Sequence, residues 1–121
     1  PGVIAGVGEA PDGPFAHSAD DWRRHIDALA SHANVVCKIS GIIARAPATE
    51  DLADLLAPTV DHCLDAFGPE RVVFGGDWPV CTLGAPLATW VQSLRDIVAS
   101  RPTGWVEGLL HGNARRIYAL G

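Results

Sequence analysis

An apolar run that ends on a carboxylate is the most chemically suggestive feature of this sequence. Residues 71–77 read RVVFGGD, and Trp78 and Pro79 follow directly. A carboxylate at the end of a buried strand can accept a proton from a water molecule that attacks a carbonyl carbon, so Asp77 is a candidate general base. The same acid could instead cap a helix or bind backbone amides in a loop. The residue pattern alone leaves both roles open.

Four further side chains could act at the same place. Ser40 and Arg45 lie at or just beyond the end of a second β-rich segment, NVVCKIS at 34–40. Arg45 could hold a substrate carboxylate through two parallel hydrogen bonds, with an exposed loop arginine as the alternative. The Trp78 indole could line a substrate pocket or only fill the end of the fold. Lys38 is the single lysine and shares a strand face with Ser40, where an inward ammonium needs partners; this favours a structural ion pair over a catalytic base.

The histidines form no recognisable metal motif. There are five, and neither H-x-H nor H-E-x-x-H occurs. His25, His32 and His62 fall on predicted helices, where surface or packing roles are expected, whereas His17 lies in a predicted loop. The three cysteines are far apart, which favours a reduced, cytosolic protein over a secreted one with disulfides.

Hydrophobic periodicity predicts helices that alternate with two strands. The predicted order is a helix over 19–32, a strand over 34–40, a helix from 49 to 67, a strand over 71–77, a third helix after the following loop, and two short helical turns in the tail. Ser18 and Asp21 form a capping-box pattern, Pro58 predicts a kink or two abutting helices, and Asn113 is a predicted N-cap. Such alternation predicts an α/β fold with a parallel sheet.

Composition favours a folded domain and argues against several functions. The chain has 121 residues, of which 48% are hydrophobic and 19% charged. A net charge of −5 without a basic stripe argues against nucleic-acid binding, and no apolar run reaches the roughly 20 residues that span a membrane. Two parallel strands are too few for a stable sheet, and the sequence begins at Pro1 without a methionine. We therefore expect 1–121 to be a single partial domain that associates with itself or with the remainder of a larger parallel barrel or sheet.

Three segments carry a family resemblance. They are NVVCKISG at 34–41, FGPERVVFGGDWPV at 67–80 and HGNARRIYAL at 111–120. In sequence, order and spacing they resemble the C-terminal part of the amidohydrolase-related family, in the branch that includes 2-pyrone-4,6-dicarboxylate lactonase and L-fuconolactonase. The resemblance implies part of a (β/α)8 barrel, with 34–40 as its seventh strand and 71–77 as its eighth. Active sites of such barrels lie at the C-terminal ends of the strands.

The resemblance also implies a reaction. It implies that a small-molecule lactone, of a sugar acid or a dicarboxylate, is hydrolysed by water that Asp77 activates. In metal-using relatives this carboxylate would also bind the metal, with zinc as the expected ion. The H-x-H pair of the first barrel strand is absent from this chain, so no complete zinc site is expected here. Gly76 stands where the family often has serine, which removes a hydroxyl beside Asp77.

Two alternatives to lactone hydrolysis stay open. A metal-dependent decarboxylase of the same superfamily is the nearest one. A non-catalytic barrel fragment that needs a partner chain belongs to a different class, and unpaired strand edges would suit it.

Overall fold

Helices and two short strands alternate in the part of the chain that the computed structural model describes, residues 18–46 and 51–119. The elements are α1 (Ala19–Ala30), β1 (Cys37–Ile39), a 3-10 turn (Ile42–Arg45), α2 (Leu52–Phe67), β2 (Val72–Phe74), a second 3-10 turn (Val80–Leu83), α3 (Leu87–Val98), α4 (Thr103–Glu107), a π-helical turn (Gly108–Gly112) and α5 (Asn113–Ile117). The predicted order is confirmed, and both strands are shorter than predicted. His17 and the predicted helix start at Thr49 lie outside the described residues.

The two strands pair in parallel, as the alternation of elements predicts. Cys37 lies opposite Val72 and Ile39 lies opposite Phe74. The ladder continues one residue further, because the Gly75 amide donates to the Ile39 carbonyl at 2.9 Å. β1 and β2 therefore end side by side, and the segments that leave them start at the same edge of the sheet.

Helices cover one face of this strand pair. Ile39 and Val72 are buried in the apolar core, which extends through α2 and α3. Trp90 of α3 is fully buried, and its ring meets Phe74 edge-on with centroids 5.2 Å apart. Because side chains alternate along a strand, Lys38 and Ser40 project from the opposite face. Within residues 18–46 and 51–119, no helix has the length and apolar character needed to cross a membrane.

The boundaries of the first two helices follow local rules. Ser18 Oγ accepts a hydrogen bond from the Asp21 amide at 3.1 Å, and the Asp21 carboxylate accepts one from the Ser18 amide at 3.3 Å, which confirms the capping box. α2 runs through Pro58 as a single helix, so the alternative of two abutting helices is wrong. It ends at Gly68, whose φ of +79° is the left-handed conformation that glycine adopts most easily.

Arg71 ties the end of α1 to the start of β2. Its guanidinium donates to the carbonyl oxygens of Ala30, His32 and Val35, each at 2.9 Å, and it lies 5.2 Å from the centre of the Phe67 ring. These carbonyls lie where the chain leaves α1 and turns toward β1. One side chain thus satisfies backbone groups that the helix end leaves without intrahelical partners.

The prediction of Asn113 as an N-cap is wrong. The residue before it is already helical, because the π-helical turn runs directly into α5. No helix end is available there for a side chain to cap. Instead, Asn113 is 3% exposed, and its Nδ2 donates to the carbonyl oxygens of Pro69 at 2.7 Å and Val72 at 2.8 Å. The tail is thereby anchored to β2.

Candidate active site at the strand ends

Asp77 lies at the C-terminal edge of the strand pair. Its φ is +54°, a left-handed conformation that residues other than glycine rarely adopt. Its Oδ2 lies 3.4 Å from the position that a Cβ on Gly41 would occupy, and Gly41 directly precedes the 3-10 turn that follows β1. The carboxylate at the end of β2 therefore reaches across to the end of β1.

The helix-capping alternative for Asp77 is wrong for the 3-10 turn that follows it. Pro79, not Asp77, occupies the N-cap position of that turn.

A gap above Gly75 is filled by the side chains of Lys38 and Ser40. A Cβ on Gly75 would lie 2.6 Å from Lys38 Cε, 3.3 Å from Ser40 Oγ and 3.4 Å from Lys38 Nζ. The lysine chain therefore crosses from β1 onto β2 at the level of Gly75. It carries its ammonium toward the strand ends, to the side of the sheet on which Ser40 lies.

Arg45 and Trp78 border this region from the two loops. Arg45 is the last residue of the 3-10 turn after β1 and is exposed. Trp78 is 69% exposed, and its peptide bond to Pro79 is cis. For Arg45, substrate contact and an exposed loop position both stay predictions. For Trp78, lining a substrate pocket and filling the end of the fold both stay predictions.

Gly84 lets the two loops approach each other. A Cβ at this position would lie 1.7 Å from the carbonyl oxygen of Ile43, so only glycine fits without a shift of backbone. Ile43 and Cys81 are both fully buried where the two 3-10 turns meet. This contact holds the segment after Asp77 against the segment after Ser40, and sequence reasoning missed it.

Two cysteines touch beneath the strand pair. Cys37 and Cys63 are free thiols beside a cavity of about 230 Å³ between α1, β1 and α2. The hydrogen bond from Cys63 lowers the pKa of Cys37, although burial opposes this effect. The same hydrogen bond, together with burial and the charge on Cys37, raises the pKa of Cys63. Cys63 belongs to the apolar core, and the half-buried Cys37 packs against it.

His25, His32 and His62 lie on or beside α1 and α2, away from the strand ends. His25 and His32 are exposed, and His62 packs against Trp22 with its Nε2 2.9 Å from the Asp27 carboxylate. These positions confirm the predicted surface and packing roles.

Asp77 could supply one carboxylate oxygen to a metal ion. Across residues 18–46 and 51–119, no three His, Cys, Asp or Glu side chains come together as metal ligands. A catalytic zinc site uses three protein ligands and an open position, so the described residues do not by themselves fit a zinc ion.

Comparisons with known proteins agree with one another. A family model described as Amidohydrolase matches residues 3–120. A protein named L-fucono-1,5-lactonase from Burkholderia multivorans is 39% identical over 112 residues, which are 82% of this chain and 35% of that protein. One of the same name from Burkholderia ambifaria is 36% identical over 78 residues, 64% of this chain and 27% of that protein.

Solved structures show the same relationship. A crystal structure of an amidohydrolase from Burkholderia multivorans with bound zinc has a TM-score of 0.77 and 34% identity, and the match covers 84% of this chain and 38% of that one. Amidohydrolase 2 from Bifidobacterium longum subsp. infantis has a TM-score of 0.62 and 29% identity, over 84% of this chain and 35% of that one. The matches therefore cover between 27% and 38% of the length of these relatives.

Proposed function

The chain belongs to the amidohydrolase family, and from this membership we propose that the complete protein hydrolyses a lactone with water that Asp77 activates. The observation that carries the proposal is the position of Asp77, a carboxylate at the end of a parallel strand with its side chain turned toward the neighbouring strand end. We assign β1 and β2 as the seventh and eighth strands of a (β/α)8 barrel, in which catalytic residues come from the C-terminal strand ends.

The proposed reaction needs one group that accepts and returns a proton. As the water oxygen bonds to the lactone carbonyl carbon, its proton passes to the Asp77 carboxylate. When the tetrahedral intermediate collapses, the ring carbon–oxygen bond breaks and the ring oxygen takes the proton back. The product is an open-chain hydroxy acid, and Asp77 is again a carboxylate.

The names of two relatives support a sugar-acid lactone as the substrate. Both are named L-fucono-1,5-lactonase, which makes L-fucono-1,5-lactone the first compound to test. Such a substrate carries several hydroxyl groups beside its lactone carbonyl. We propose that Ser40, Arg45 and Trp78 contact it, the first two by hydrogen bonds to hydroxyl or carboxylate oxygens and the indole by covering one face of the ring.

A metal ion in the complete protein would be held mostly by residues outside those that the structure describes. The structure similar to this chain that contains zinc supports a divalent ion in the complete barrel. We propose that Asp77 would then contribute one ligand and that the other ligands lie elsewhere in the protein. A bound metal would polarise the carbonyl of the lactone, and no step above depends on it.

The decisive test is an assay with the protein expressed from its complete gene. Hydrolysis of L-fucono-1,5-lactone releases one acid per lactone, which a pH indicator follows against the spontaneous rate. We expect turnover with this lactone or with another 1,5- or 1,4-aldonolactone. Carbon dioxide release from carboxylic acid substrates without any lactone turnover would favour the decarboxylase alternative instead. Expression of 1–121 alone and together with an N-terminal barrel segment shows whether the fragment needs a partner chain.

A further inference from the structure

A cation and a hydroxyl converge above Gly75, on the face of the sheet opposite to Ile39 and Val72. Lys38 Cε, Lys38 Nζ and Ser40 Oγ all lie within 3.4 Å of the place that a Cβ on Gly75 would occupy. A side chain at position 75 would force the lysine to shift from this path, because the 2.6 Å separation from Cε is closer than carbon atoms approach. Because Gly75 has no side chain, it leaves space for the Lys38 side chain to pass over it toward the strand ends.

The ammonium of Lys38 is available to a ligand. Lys38 is exposed and Ser40 half-buried. In the part of the chain that the structure describes, the ion pairs involve Arg23, Arg24, His62 and Arg101 as the basic partners. The structural ion pair favoured for Lys38 by the sequence is not among them.

The charges at the two strand ends are opposite. Asp77 places a carboxylate at the end of β2, and Lys38 places an ammonium beside Gly75, two residues earlier. Neighbouring strands lie about 4.8 Å apart, so both groups are within reach of one small ligand bound over the strand ends. When water adds to a lactone, the nucleophile gives up a proton while the carbonyl oxygen gains negative charge. A carboxylate suits the first event, and a cation with a hydroxyl donor suits the second.

We propose that Lys38 binds the oxygen that becomes negatively charged when the lactone opens, namely the carbonyl oxygen during the reaction and a carboxylate oxygen of the product acid. Ser40 Oγ is the second donor of this oxyanion site, and Gly75 is the positioning residue that keeps it open. The inference rests on the proposed lactone hydrolysis and assigns to Lys38 a part of the reaction that Asp77 does not perform.

The test uses the protein from its complete gene with four variants: Lys38→Ala, Gly75→Ala, the double variant and Gly76→Ala. Loss of one oxyanion donor reduces kcat by about 10²- to 10³-fold, and we expect a loss of this size for Lys38→Ala. Gly75→Ala should show a similar loss, because its new methyl group displaces the lysine. In the Lys38→Ala background the same methyl group should have no further effect.

Gly76→Ala is the matched control, since its Cβ would meet only the end of the Leu87 side chain, at 2.8 Å. We expect its kcat to stay within about threefold of wild type, far below the loss expected for an oxyanion donor. Thermal unfolding of every variant separates loss of function from loss of fold. A Lys38→Ala protein that unfolds at a lower temperature but keeps its turnover of lactone would overturn the proposal, since a purely structural lysine predicts that result.

A binding measurement decides the inference independently of turnover. Calorimetry compares L-fuconate, the acid formed from L-fucono-1,5-lactone, with the neutral alcohol L-fucitol. We expect Lys38→Ala and Gly75→Ala to weaken L-fuconate binding at least about tenfold, the loss of one charge-assisted hydrogen bond, and to leave L-fucitol binding unchanged. Equal losses for both ligands, or no L-fuconate binding by wild type, would contradict the inference. If the protein does not hydrolyse lactones but still binds L-fuconate through its charge, the proposed reaction is wrong and the anion site is supported.

Discussion

The backbone of Asp77 is strained where the chemistry is proposed. A φ of +54° in a residue with a side chain costs on the order of 1–3 kcal/mol and persists only where the surrounding structure holds it. The hydrogen bond from the Cys81 amide to the Asp77 carbonyl, at 2.8 Å, is one such restraint. In this conformation the carboxylate turns toward Gly41 rather than continuing the alternation of β2. The strain is thus associated with the orientation that the proposed reaction needs.

Cys37 is expected to be the most reactive cysteine of the chain. Its pKa lies below the ordinary value of 9.0 because Cys63 donates a hydrogen bond to its thiolate, whereas the pKa of Cys63 is raised. Alkylation of the protein from its complete gene with iodoacetamide at increasing pH, followed by peptide mass spectrometry, should show Cys37 half-reacting below pH 9.0. Cys63 and the fully buried Cys81 should stay unmodified until the chain unfolds.

The Cys63→Ala variant tests whether the hydrogen bond from Cys63 lowers the pKa of Cys37. Without the hydrogen-bond donor, only burial acts on the Cys37 thiol, and burial raises the pKa. The pH at which Cys37 half-reacts should therefore move upward in the variant. An unchanged pH profile would show that the Cys63 hydrogen bond does not stabilise the thiolate.

At the scale of elements, the two 3-10 turns position the strand ends, and their contact depends on Gly84. A methyl group there would overlap the Ile43 carbonyl oxygen, so the backbone of one turn must move. We expect Gly84→Ala to lower the free energy of unfolding by about 3 kcal/mol or more, beyond the usual cost of overpacking. Chemical denaturation monitored by tryptophan fluorescence measures this loss.

Gly104→Ala is the matched control for Gly84→Ala. No atom lies within 4 Å of its Cβ position, and the residue is in α4. Alanine is the better helix former by up to about 1 kcal/mol, so this variant should be as stable as wild type or slightly more so. Equal effects of the two substitutions would mean that the loop contact carries no stability.

Local signals in the sequence explain how far the elements could be predicted. The capping box at Ser18 and the end of α2 at Phe67 depend on neighbouring residues, and both are confirmed. Asn113 and Arg71 make hydrogen bonds to residues about 40 positions away, which no local pattern contains. Alternation placed Lys38 on the correct face, but its path over Gly75 depends on the register between the strands. This path could have been predicted only from the register of the two parallel strands, which sets Ser40 beside Gly75.

At the scale of the whole molecule, the sheet is small for the helices that cover it. Among residues 18–46 and 51–119 it contains two strands, and each of them pairs on one side only. The outer edges therefore carry backbone groups to which another strand could bind. The chain's coverage of 35% of the lactonase from Burkholderia multivorans agrees with a piece of a larger barrel.

The 121-residue chain in isolation is expected to associate or to unfold gradually. Sedimentation velocity over a range of concentrations should show species larger than the monomer, and circular dichroism should show a broad thermal transition. Val36→Lys adds a charge to the open face of β1, where Val36 is 40% exposed, and should reduce association. Val80→Lys, at a loop valine that is 48% exposed, is the control and should not. A monomer with one sharp transition would contradict the partial-barrel account.

The most direct test of the central claim is the turnover number of Asp77→Asn in the protein from its complete gene, with an aldonolactone that wild type hydrolyses. The substitution keeps the shape of the side chain and removes its ability to accept a proton. A general base contributes about 10²- to 10⁴-fold, so kcat should fall by at least the lower figure. Asp54→Asn, at an exposed position on α2, should leave kcat unchanged. An Asp77→Asn protein that hydrolyses the lactone as fast as wild type would remove Asp77 from the mechanism.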